Sequence, residues 1–516
     1  MFDLFALALV TLLLVYIYLN SRKLVVKHPE PPSPPRLPLI GHLHHMRKYP
    51  QEPWKVFDEI AKKYGEIYKL QLGQSEYIVI AGISSAKEAL IRNGNMCLDR
   101  PTIATWDLVV NGQRNSLHFA NWSNLHQNIR RTLMTHTLSS GSMKFEQLQR
   151  ISEGGIRKFL GSDSSKISVL EFNKLLSAYG FMILDYSCGT NFQSTKSSDD
   201  RDWASFSNAF IELHDIASEG HIIDIFPILK HFKSLFPSIR RLKNFYAILI
   251  DFLENKAGLL QMREQLENDV AHEKYIDENL NFAETLIMEH IHDPSNLPWP
   301  RVFNVIMGLL ANILPISSLT MICLGYISLN KEYQEKIYQE IKRIKLSSSD
   351  DIISLQEAKK LVHIEAALME VIRLASPFYL PRLTTEDMKI KGYHIPKGTG
   401  LMVNVYSFDH SSTTWESPER FMPERFIVAE NRSESSEIKI KKPQNYYPYG
   451  LGHRSCPGYG LFENLASLMI ANLICQYEIN SDLSETEMSK KGLGNYGSFR
   501  AKNSFPLKLR KRSKFS

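Results

Sequence analysis

A glycine-rich segment near the carboxyl terminus carries the strongest chemical signal in the sequence. Residues 449–460 read YGLGHRSCPGYG and place Cys456 among four glycines. Glycines let the backbone curl closely, so that its N–H groups can point at the sulfur of a thiolate. A helical pattern begins at Leu461, and the positive amino-terminal end of that helix would favour a negative sulfur. The segment predicts a buried thiolate that can bind a metal ion, and a glycine-rich loop around an unreactive buried cysteine is the alternative.

The other four cysteines give no such signal. Cys97, Cys188, Cys323 and Cys475 are widely spaced, no pair has C-x-x-C spacing, and the total of five is odd. This pattern argues against a zinc site or a disulfide framework and suits a reducing compartment. Each is interpreted as a small buried hydrophobic residue.

The glycine-rich segment resembles the haem-binding loop of the cytochrome P450 family, which follows the pattern aromatic-x-x-Gly-x-Arg-x-Cys-x-Gly. It departs from that pattern only at Tyr449, where phenylalanine is usual. The resemblance implies that Cys456 is the ligand of the iron of haem b. It also implies that Tyr449, Arg454 and Gly458 contact the haem, with Arg454 placed to pair with a carboxylate of the cofactor.

Two charged motifs resemble further parts of the family pattern. Glu370 and Arg373 stand three residues apart, as in the family's E-x-x-R helix, and Arg425 lies in a P-E-R-F run. Alone, such a pair is an ordinary surface feature of a helix. The resemblance implies instead a buried, structural network of the three side chains, because buried charges are tolerated only when they are paired.

Other residues are implied to hold the haem propionates. Trp122 resembles the tryptophan of the family's W-x-x-x-R helix, but the fifth position is His126 rather than arginine. Arg130 lies one turn further on and could substitute, which leaves that contact open between His126 and Arg130. Arg382, downstream of the E-x-x-R helix, is implied to reach a propionate.

The central helix departs from the family. Most members carry an acid–alcohol pair there, which relays protons to bound oxygen. The corresponding positions here are Leu314 and Pro315, and neither side chain can donate a proton. Pro315 also leaves the carbonyl of Ala311 without its helical partner and should kink the helix. We expect Asn312 or Ser317 to serve in catalysis instead.

Three functions are compatible with this departure. A haem-thiolate monooxygenase would oxidise an apolar substrate with O2 and electrons that a reductase takes from NADPH. A P450-type isomerase or dehydratase would act without external electrons, as some members that lack the pair do. A haem or sterol carrier would bind without turnover. The intact cysteine loop and charge motifs favour an enzyme, and the monooxygenase is the predicted function.

Several short stretches, among them 93–101 and 384–387, resemble the spook/spookier branch of arthropod P450s. That branch acts in early ecdysteroid synthesis, so the resemblance implies a sterol-like substrate. Plain core packing is the alternative for each residue of the implied pocket. The family's layout would line that pocket with Phe119, Ile313, Leu314, Phe378 and Tyr379.

The hydrophobic pattern predicts a mainly α fold with a smaller β lobe, the cytochrome P450 fold by resemblance. Runs at 67–72 and 76–81 indicate a hairpin, and helical spacing dominates from about 120 to 375. Strand character returns at 379–405. Residues 302–330 carry no charge, which suits a second membrane span or a helix inside a large core. The neighbouring motifs favour the core helix.

Residues 1–21 form an apolar run with basic residues after it, which predicts a retained transmembrane anchor rather than a cleaved signal peptide. The basic and proline-rich stretch 22–45 predicts a stiff hinge. Residues 46–516 would form the haem-binding catalytic domain. The basic residues after the anchor place this domain in the cytosol, at the endoplasmic reticulum membrane by resemblance.

Composition and charge limit the partners. The chain has 516 residues and a net charge of +6, and no dense alternation of basic and aromatic residues supports nucleic-acid binding. The implied partners are the membrane, a small apolar substrate and an NADPH–cytochrome P450 reductase. The reductase would dock on a basic face, for which Arg130 and Arg131 are candidates.

Overall fold

A computed structural model shows how these motifs come together. It describes residues 29–50, 52–110, 112, 115–138, 143–161, 168–189, 199–218, 221–272, 280–346, 350–376, 380–432, 435–492 and 505–512. The predicted anchor, 1–21, lies outside the described residues.

Helices dominate the described chain and strands gather near its two ends. The amino-terminal elements are α1 (Leu43–Met46), α2 (Pro53–Tyr64), β1 (Ile67–Leu72), β2 (Ser75–Ile80), α3 (Ile83–Lys87) and α4 (Ala104–Val109). The helical body contains α5 (Asn124–Leu138), α6 (Met143–Gly161), β3 (Val169–Leu170), α7 (Phe172–Cys188), α8 (Asp199–Ser218), α9 (Ile222–Ile225), α10 (Pro237–Asp251), α11 (Leu259–Ala271), α12 (Phe282–His292), α13 (Trp299–Leu310), α14 (Ile313–Leu329), α15 (Lys331–Lys345), α16 (Leu355–Ala358) and α17 (Val362–Ala375).

The carboxyl-terminal part returns to mixed structure. Its elements are β4 (Arg382–Leu383), β5 (Met388–Ile390), β6 (Tyr393–Ile395), β7 (Gly400–Val403), α18 (Val405–Asp409), β8 (Ile427–Arg432), β9 (Ser435–Ile440), α19 (Tyr459–Gln476), β10 (Tyr477–Asn480), α20 (Glu485–Gly492) and β11 (Leu507–Lys511). Short π-helical and 3-10 turns lie at Glu88–Arg92, Gly94–Met96, Pro227–Leu235, Phe252–Lys256, Pro423–Phe426 and Gly452–Arg454. The mainly α fold with a smaller β lobe is confirmed.

The β lobe joins strands from both ends of the described chain. Its main sheet has the order β1-β2-β7-β4, in which β1 and β2 form the predicted antiparallel hairpin and β7 runs parallel to β2. A smaller sheet has the order β10-β11-β3. The proline-rich segment packs against the main sheet, because the carbonyl of Pro32 accepts a hydrogen bond from the Lys69 N–H at 2.8 Å. The described part of the predicted hinge is thus docked on the β lobe.

Two helices in line, α13 and α14, form the centre of the largest hydrophobic core. Residues Trp299–Leu329 are apolar and long enough to cross a bilayer, but 83% of their most apolar window is buried inside the protein. Because α7, α17 and α19 pack around α14, this segment is the core helix that the sequence predicts. Asn330 follows it and caps α15, with its Oδ1 accepting the Tyr333 N–H at 3.0 Å.

Candidate active site

The loop that carries Cys456 is closed by its own backbone. The Cys456 N–H donates to the carbonyl of Tyr449 at 2.7 Å. Gly452 has a φ of +68°, and a Cβ there would lie 1.9 Å from the carbonyl oxygen of Leu90. A side chain at 452 would therefore collide with the π-helical turn below the loop, which explains the need for glycine.

Two groups favour a negative charge on Cys456. Burial raises the pKa of its thiol, while a hydrogen bond from the Gly458 N–H and the positive charge of Arg130 oppose that rise. Arg130 is held close because its Nη2 donates to the carbonyl of Ser455 at 2.6 Å. Helix α19 begins three residues after the cysteine, so its amino-terminal end adds a positive field. These are the features that a thiolate ligand requires.

The central helix breaks beside this loop. Helix α13 ends at Leu310 and α14 begins at Ile313, with Pro315 in its first turn, where a missing N–H is tolerated. The kink that Pro315 predicts is thus confirmed. The break brings Asn312 to the cysteine loop, since a Cβ on Gly458 would lie 2.9 Å from the Asn312 Oδ1.

The break also exposes a short stretch of the core helix. Within residues 302–328 all side chains are buried except those of Ala311, Asn312 and Pro315, which are partly accessible. Cys456 is partly accessible too. Because Asn312 contacts the cysteine loop, these accessible surfaces lie on the same side of the helix break.

The Arg454 side chain lies among several hydrogen-bond acceptors. Its guanidinium donates to the carbonyls of Leu98 at 2.9 Å and Ala120 at 2.6 Å, and it lies 3.0 Å from the Nε2 of His126. It also stacks over the ring of Trp122 at 5.1 Å. Burial and neighbouring arginines lower the pKa of Arg454 to about 9.

Two more arginines approach the same place from other segments. Arg100 donates to the carbonyls of His118 at 3.0 Å and Leu380 at 2.7 Å, and only 7% of its surface is exposed. Arg382 donates to the carbonyl of Leu451 in the cysteine loop at 3.3 Å. Both side chains are buried.

Together these side chains form the arginine cluster, defined as Arg100, Arg130, Arg382 and Arg454. Burial lowers the pKa of Arg100, and the other three members lower it further. Asp99 is the carboxylate that raises the pKa of Arg454. A concentration of buried positive charge of this kind suits a ligand with more than one carboxylate.

A second buried group of charged side chains joins α17 to the turn at Pro423–Phe426. Glu370 accepts two hydrogen bonds from Arg373, at 2.8 and 2.9 Å, and one from Arg425 at 3.1 Å. Arg373 also donates to the carbonyls of Asp409 at 2.6 Å and Pro418 at 2.7 Å. Glu370, Arg373 and Arg425 are called the Glu370 network below. It fixes the segment before the cysteine loop to α17.

Comparison with known proteins gives a consistent answer. The family model Cytochrome P450 matches residues 31–503. The chain belongs to the cytochrome P450 family. It is 26% identical to Cytochrome P450 307a1 of Drosophila melanogaster over 88% of this chain and 85% of the relative. It is 25% identical to the Steroid 17-alpha-hydroxylase/17,20 lyase of Bison bison over 87% of this chain and 86% of the relative.

Haem b and, through a reductase, NADPH are the cofactors of P450 enzymes, and this P450 is an oxidoreductase of that kind. The residues present fit a haem. A cysteine that receives a backbone hydrogen bond can bind iron, and the arginine cluster can hold the two propionates. Among the described residues no group of three or more His, Cys, Asp or Glu forms another metal site.

The structure gives different partners to the two candidates for the W-x-x-x-R contact, His126 and Arg130. His126 is 1% exposed and lies beside Arg454. Arg130 turns instead toward the cysteine loop through Ser455. Which of the two reaches a propionate stays a prediction, since only the Nη2 of Arg130 is bound to that carbonyl and His126 adjoins Arg454. Arg131 is exposed, so it is the better reductase-docking candidate of the two.

The two candidate catalytic residues, Ser317 and Asn312, differ in whether the side chain reaches the cysteine loop. The Ser317 hydroxyl is fully buried and donates to the carbonyl of Ile313 in its own helix at 2.7 Å. Its proton is engaged and it lies outside the accessible stretch. Asn312 reaches the cysteine loop, with its Nδ2 donating to the carbonyl of Leu309 at 2.8 Å. The structure brings Asn312, not Ser317, to the candidate site.

The implied substrate pocket is only partly described. Phe119 is half-buried and stacks on Trp106 at 5.4 Å. Ile313 and Leu314 are 1% and 2% exposed, which makes them core residues, in accord with the plain packing alternative. The other two, Phe378 and Tyr379, lie outside the described residues.

Sequence reasoning missed Arg100 as a site residue. No local pattern distinguishes it from a surface arginine, because its carbonyl partners stand 18 and 280 residues away along the chain. At Tyr449, the departure from phenylalanine has a visible consequence. Burial and the nearby Glu463 raise the pKa of the Tyr449 hydroxyl, a group that phenylalanine lacks.

Proposed function

We propose that this P450 is a haem-thiolate monooxygenase of an apolar, sterol-like substrate and that Cys456 is the ligand of the haem iron. The observation that carries the proposal is the environment of the Cys456 sulfur. It receives the Gly458 N–H, lies beside Arg130 and follows a loop closed on Tyr449. A thiolate ligand supplies electron density that favours O–O cleavage at the haem.

His126 takes the place of the usual arginine at a haem propionate. Arg454 can only donate, so the His126 Nε2 must accept, and in the neutral ring the proton stands on Nδ1. That Nδ1 is buried and has no hydrogen-bond partner among the described residues. A buried N–H donor beside the arginine cluster is well suited to a propionate oxygen. Arg100, Arg382 and Arg454 supply the balancing charge.

Asn312 replaces the acid–alcohol pair. Its amide Nδ2 is bound to the Leu309 carbonyl, which leaves Oδ1 to accept a hydrogen bond on the side of Gly458. An amide does not donate a proton as an acid does, so its role is to hold an ordered water in the proton path. Asn312→Leu is expected to lower product formed per NADPH about tenfold, whereas Ser317→Ala should change it little.

The proposal of a sterol-like substrate rests on similarity to other P450s. One relative is named a steroid hydroxylase, and Cytochrome P450 307a1 of Drosophila melanogaster covers most of the chain. The resemblance to the spook/spookier branch makes an early step of ecdysteroid synthesis the finer proposal. Two alternatives stay in the test, an isomerase or dehydratase that needs no electrons and a carrier without turnover, because Leu314 and Pro315 provide no acid.

Reconstitution with a reductase tests the function. Turnover of a sterol only with NADPH is expected; turnover of a peroxide without NADPH would identify the isomerase, and a shifted haem spectrum without turnover would identify the carrier. Cys456→Ser should remove the red-shifted Soret band of the reduced, CO-bound protein. Cys475→Ser, at the far end of α19, is the matched control and should keep the band. Retention of the band in Cys456→Ser would move the ligand elsewhere.

A membrane surface is the proposed location, with an anchor at 1–21 and the catalytic domain on the cytosolic side of the endoplasmic reticulum. Large exposed apolar side chains lie on two segments that meet at the β1–β2 turn, where the Gly73 N–H bonds the Ile40 carbonyl and the Gln74 N–H bonds the Ile225 carbonyl. Such a patch suits contact with lipid. Its members are Leu37, Leu39, Ile40, Ile222, Ile228, Phe232 and Leu235.

Brominated lipids test that surface in the full chain. Phe232→Trp should be quenched by bromines in the acyl chains, because Phe232 is 54% exposed within the patch. Leu346→Trp is the control, since Leu346 is 88% exposed but belongs to another segment. Equal quenching at both positions would contradict the proposed orientation.

A further inference from the structure

Asp99 lies where the segment that leads into Arg100 meets two other segments of the chain. Its carboxylate Oδ1 accepts the backbone N–H of Trp122 at 2.9 Å, two residues before α5 begins. Its backbone carbonyl accepts the N–H of Leu383, the last residue of β4, at 2.8 Å. Asp99 therefore joins the segment of Trp122 to the strand that carries Arg382.

A second hydrogen bond runs between the same two segments in the opposite direction. The backbone N–H of Arg100 donates to the Asn121 Oδ1 at 3.3 Å. One side chain from each segment thus binds a backbone N–H of the other, and paired bonds of this kind fix two segments against each other. The side chains of Asp99 and Asn121 are called the clamp below.

The clamp adjoins the groups that surround Arg454. The Trp122 ring lies 5.1 Å from the Arg454 guanidinium and 5.3 Å from the His126 ring. The carbonyl of Leu98, one residue before the clamp, accepts from the Arg454 Nε at 2.9 Å. Arg100, the next member of the arginine cluster, is itself bound by the clamp. A displacement of this junction would therefore move several contacts of the arginine cluster at once.

The charge of Asp99 has two opposed effects at this place. Asp99 forms no ion pair with an arginine among the described residues. Burial, Arg382 and Arg130 lower the pKa of Arg454, and the negative charge of Asp99 opposes them. The same charge would repel the anionic propionates of a haem. Because these effects offset each other, the hydrogen bond to the Trp122 N–H is the larger contribution of the side chain.

We propose that Asp99 is a positioning residue for the haem, which holds Trp122 beside Arg454 through the hydrogen bond to the Trp122 N–H and thereby keeps the arginine cluster in place for the two propionates. This inference rests on the proposed placement of the propionates at the arginine cluster. The hydrogen bond of Asp99 is required, and its charge is not.

Haem transfer from the full, haem-loaded chain to excess apomyoglobin separates the two contributions. Asp99→Leu removes the bond and the charge and should release haem about tenfold faster. Asp99→Asn keeps an acceptor for the Trp122 N–H and should release haem within about twofold of the wild-type rate. Asp293→Leu is the matched control, because the exposed Asp293 accepts the Asn296 N–H at 3.0 Å and its loss should leave the rate unchanged.

Resonance Raman spectra supply a readout that a general loss of stability would not move. The propionate bending bands should shift in Asp99→Leu and stay at their wild-type positions in Asp99→Asn. Asn121→Ala removes the longer bond of the clamp from an exposed position, so it should fold normally and cause a smaller shift and a smaller acceleration than Asp99→Leu. It carries the test if Asp99→Leu yields no folded protein.

The outcomes distinguish this inference from the placement on which it rests. Wild-type rates in Asp99→Leu and Asn121→Ala, with faster release in Arg454→Met, would overturn the positioning role and keep the propionates at the arginine cluster. Wild-type rates in all three variants would overturn both. Release from Asp99→Asn as fast as from Asp99→Leu, or faster release without a shift of the propionate bands, would also overturn the positioning role.

Discussion

The Glu370 network and the arginine cluster are both buried, but their guanidinium groups have different hydrogen-bond partners. In the Glu370 network each guanidinium has a carboxylate oxygen within 3.1 Å. In the arginine cluster the guanidinium N–H groups of Arg100, Arg130 and Arg454 donate to backbone carbonyls and to His126. Among the described residues these three form no ion pair with a carboxylate.

The difference in partners is accompanied by lowered pKa values in the arginine cluster. Burial and the other three members lower the pKa of Arg100, and burial, Arg382 and Arg130 lower that of Arg454 to about 9. A buried charge is tolerated when an opposite charge and hydrogen bonds compensate for its lost hydration. The Glu370 network contains its own carboxylate, whereas an anionic ligand would add compensating charge to the arginine cluster.

This difference separates a structural group from a binding site. A network that is complete within the chain holds α17 to the segment before the cysteine loop whether or not a ligand is bound. A cluster of like charges beside that loop gains stability when a carboxylate ligand arrives. We therefore expect variants of the first group to change folding and variants of the second to change haem retention.

The largest effect is expected for Glu370→Gln. It leaves two guanidiniums without their carboxylate, one of them fully buried, and should lower the free energy of unfolding by about 3–5 kcal/mol. Chemical denaturation followed by circular dichroism measures the loss. Glu267→Gln, which breaks an exposed ion pair to Arg263, is the control and should cause a much smaller loss. Equal losses would remove the distinction between the two groups.

Arg454→Met should weaken haem retention rather than folding. It removes one cation of the arginine cluster, so haem should transfer to excess apomyoglobin about 10- to 100-fold faster while the secondary structure stays intact. The neighbouring exposed Arg131→Met is the control and should transfer haem at the wild-type rate. If Arg454→Met unfolds the chain as Glu370→Gln does, the arginine cluster is structural after all.

His126→Gln should change the pH dependence of stability. Burial and the nearby arginines lower the pKa of His126 to about 2, so the folded chain keeps this ring neutral. Below its ordinary pKa of about 6.5 the unfolded chain binds a proton that the folded chain does not. Stability is therefore lost as pH falls, by about 2 kcal/mol between pH 7 and pH 5.

Glutamine can still accept from Arg454 but does not titrate, so the variant should show a flatter stability profile by that amount. Denaturation at pH 7 and pH 5 measures the slope, with the exposed His292→Gln as the control. An unchanged slope in His126→Gln would mean that the ring is protonated in the folded protein.

The sequence predicted the parts of the site that are local. Cys456 with its glycines, the Glu370–Arg373 spacing and the helix break at Pro315 are each set within a few residues, by turn geometry, helical periodicity or a missing N–H. The main elements of the fold followed from periodicity for the same reason. These are the features that a motif can encode.

Contacts between distant segments could not be predicted in this way. The direction of Arg130 depends on the Ser455 carbonyl, which stands 325 residues away, and the burial of Arg100 depends on two distant segments, at His118 and Leu380. Whether Asn312 or Ser317 reaches the loop depends on which face the break turns outward. Such choices follow from packing across the fold, which leaves no periodic trace in the chain.

The smallest effect is expected for Arg130→Gln, which links the arginine cluster to the cysteine. Glutamine can keep a hydrogen bond to the Ser455 carbonyl, so the free energy of unfolding should fall by only about 1 kcal/mol. Its loss of charge weakens the field that favours a thiolate at Cys456. A larger fraction of the reduced, CO-bound protein should then lack the red-shifted Soret band, while Arg130→Lys should restore part of it. If Arg130→Gln instead accelerates haem loss as strongly as Arg454→Met, then Arg130 serves the propionates, and its bond to Ser455 is secondary.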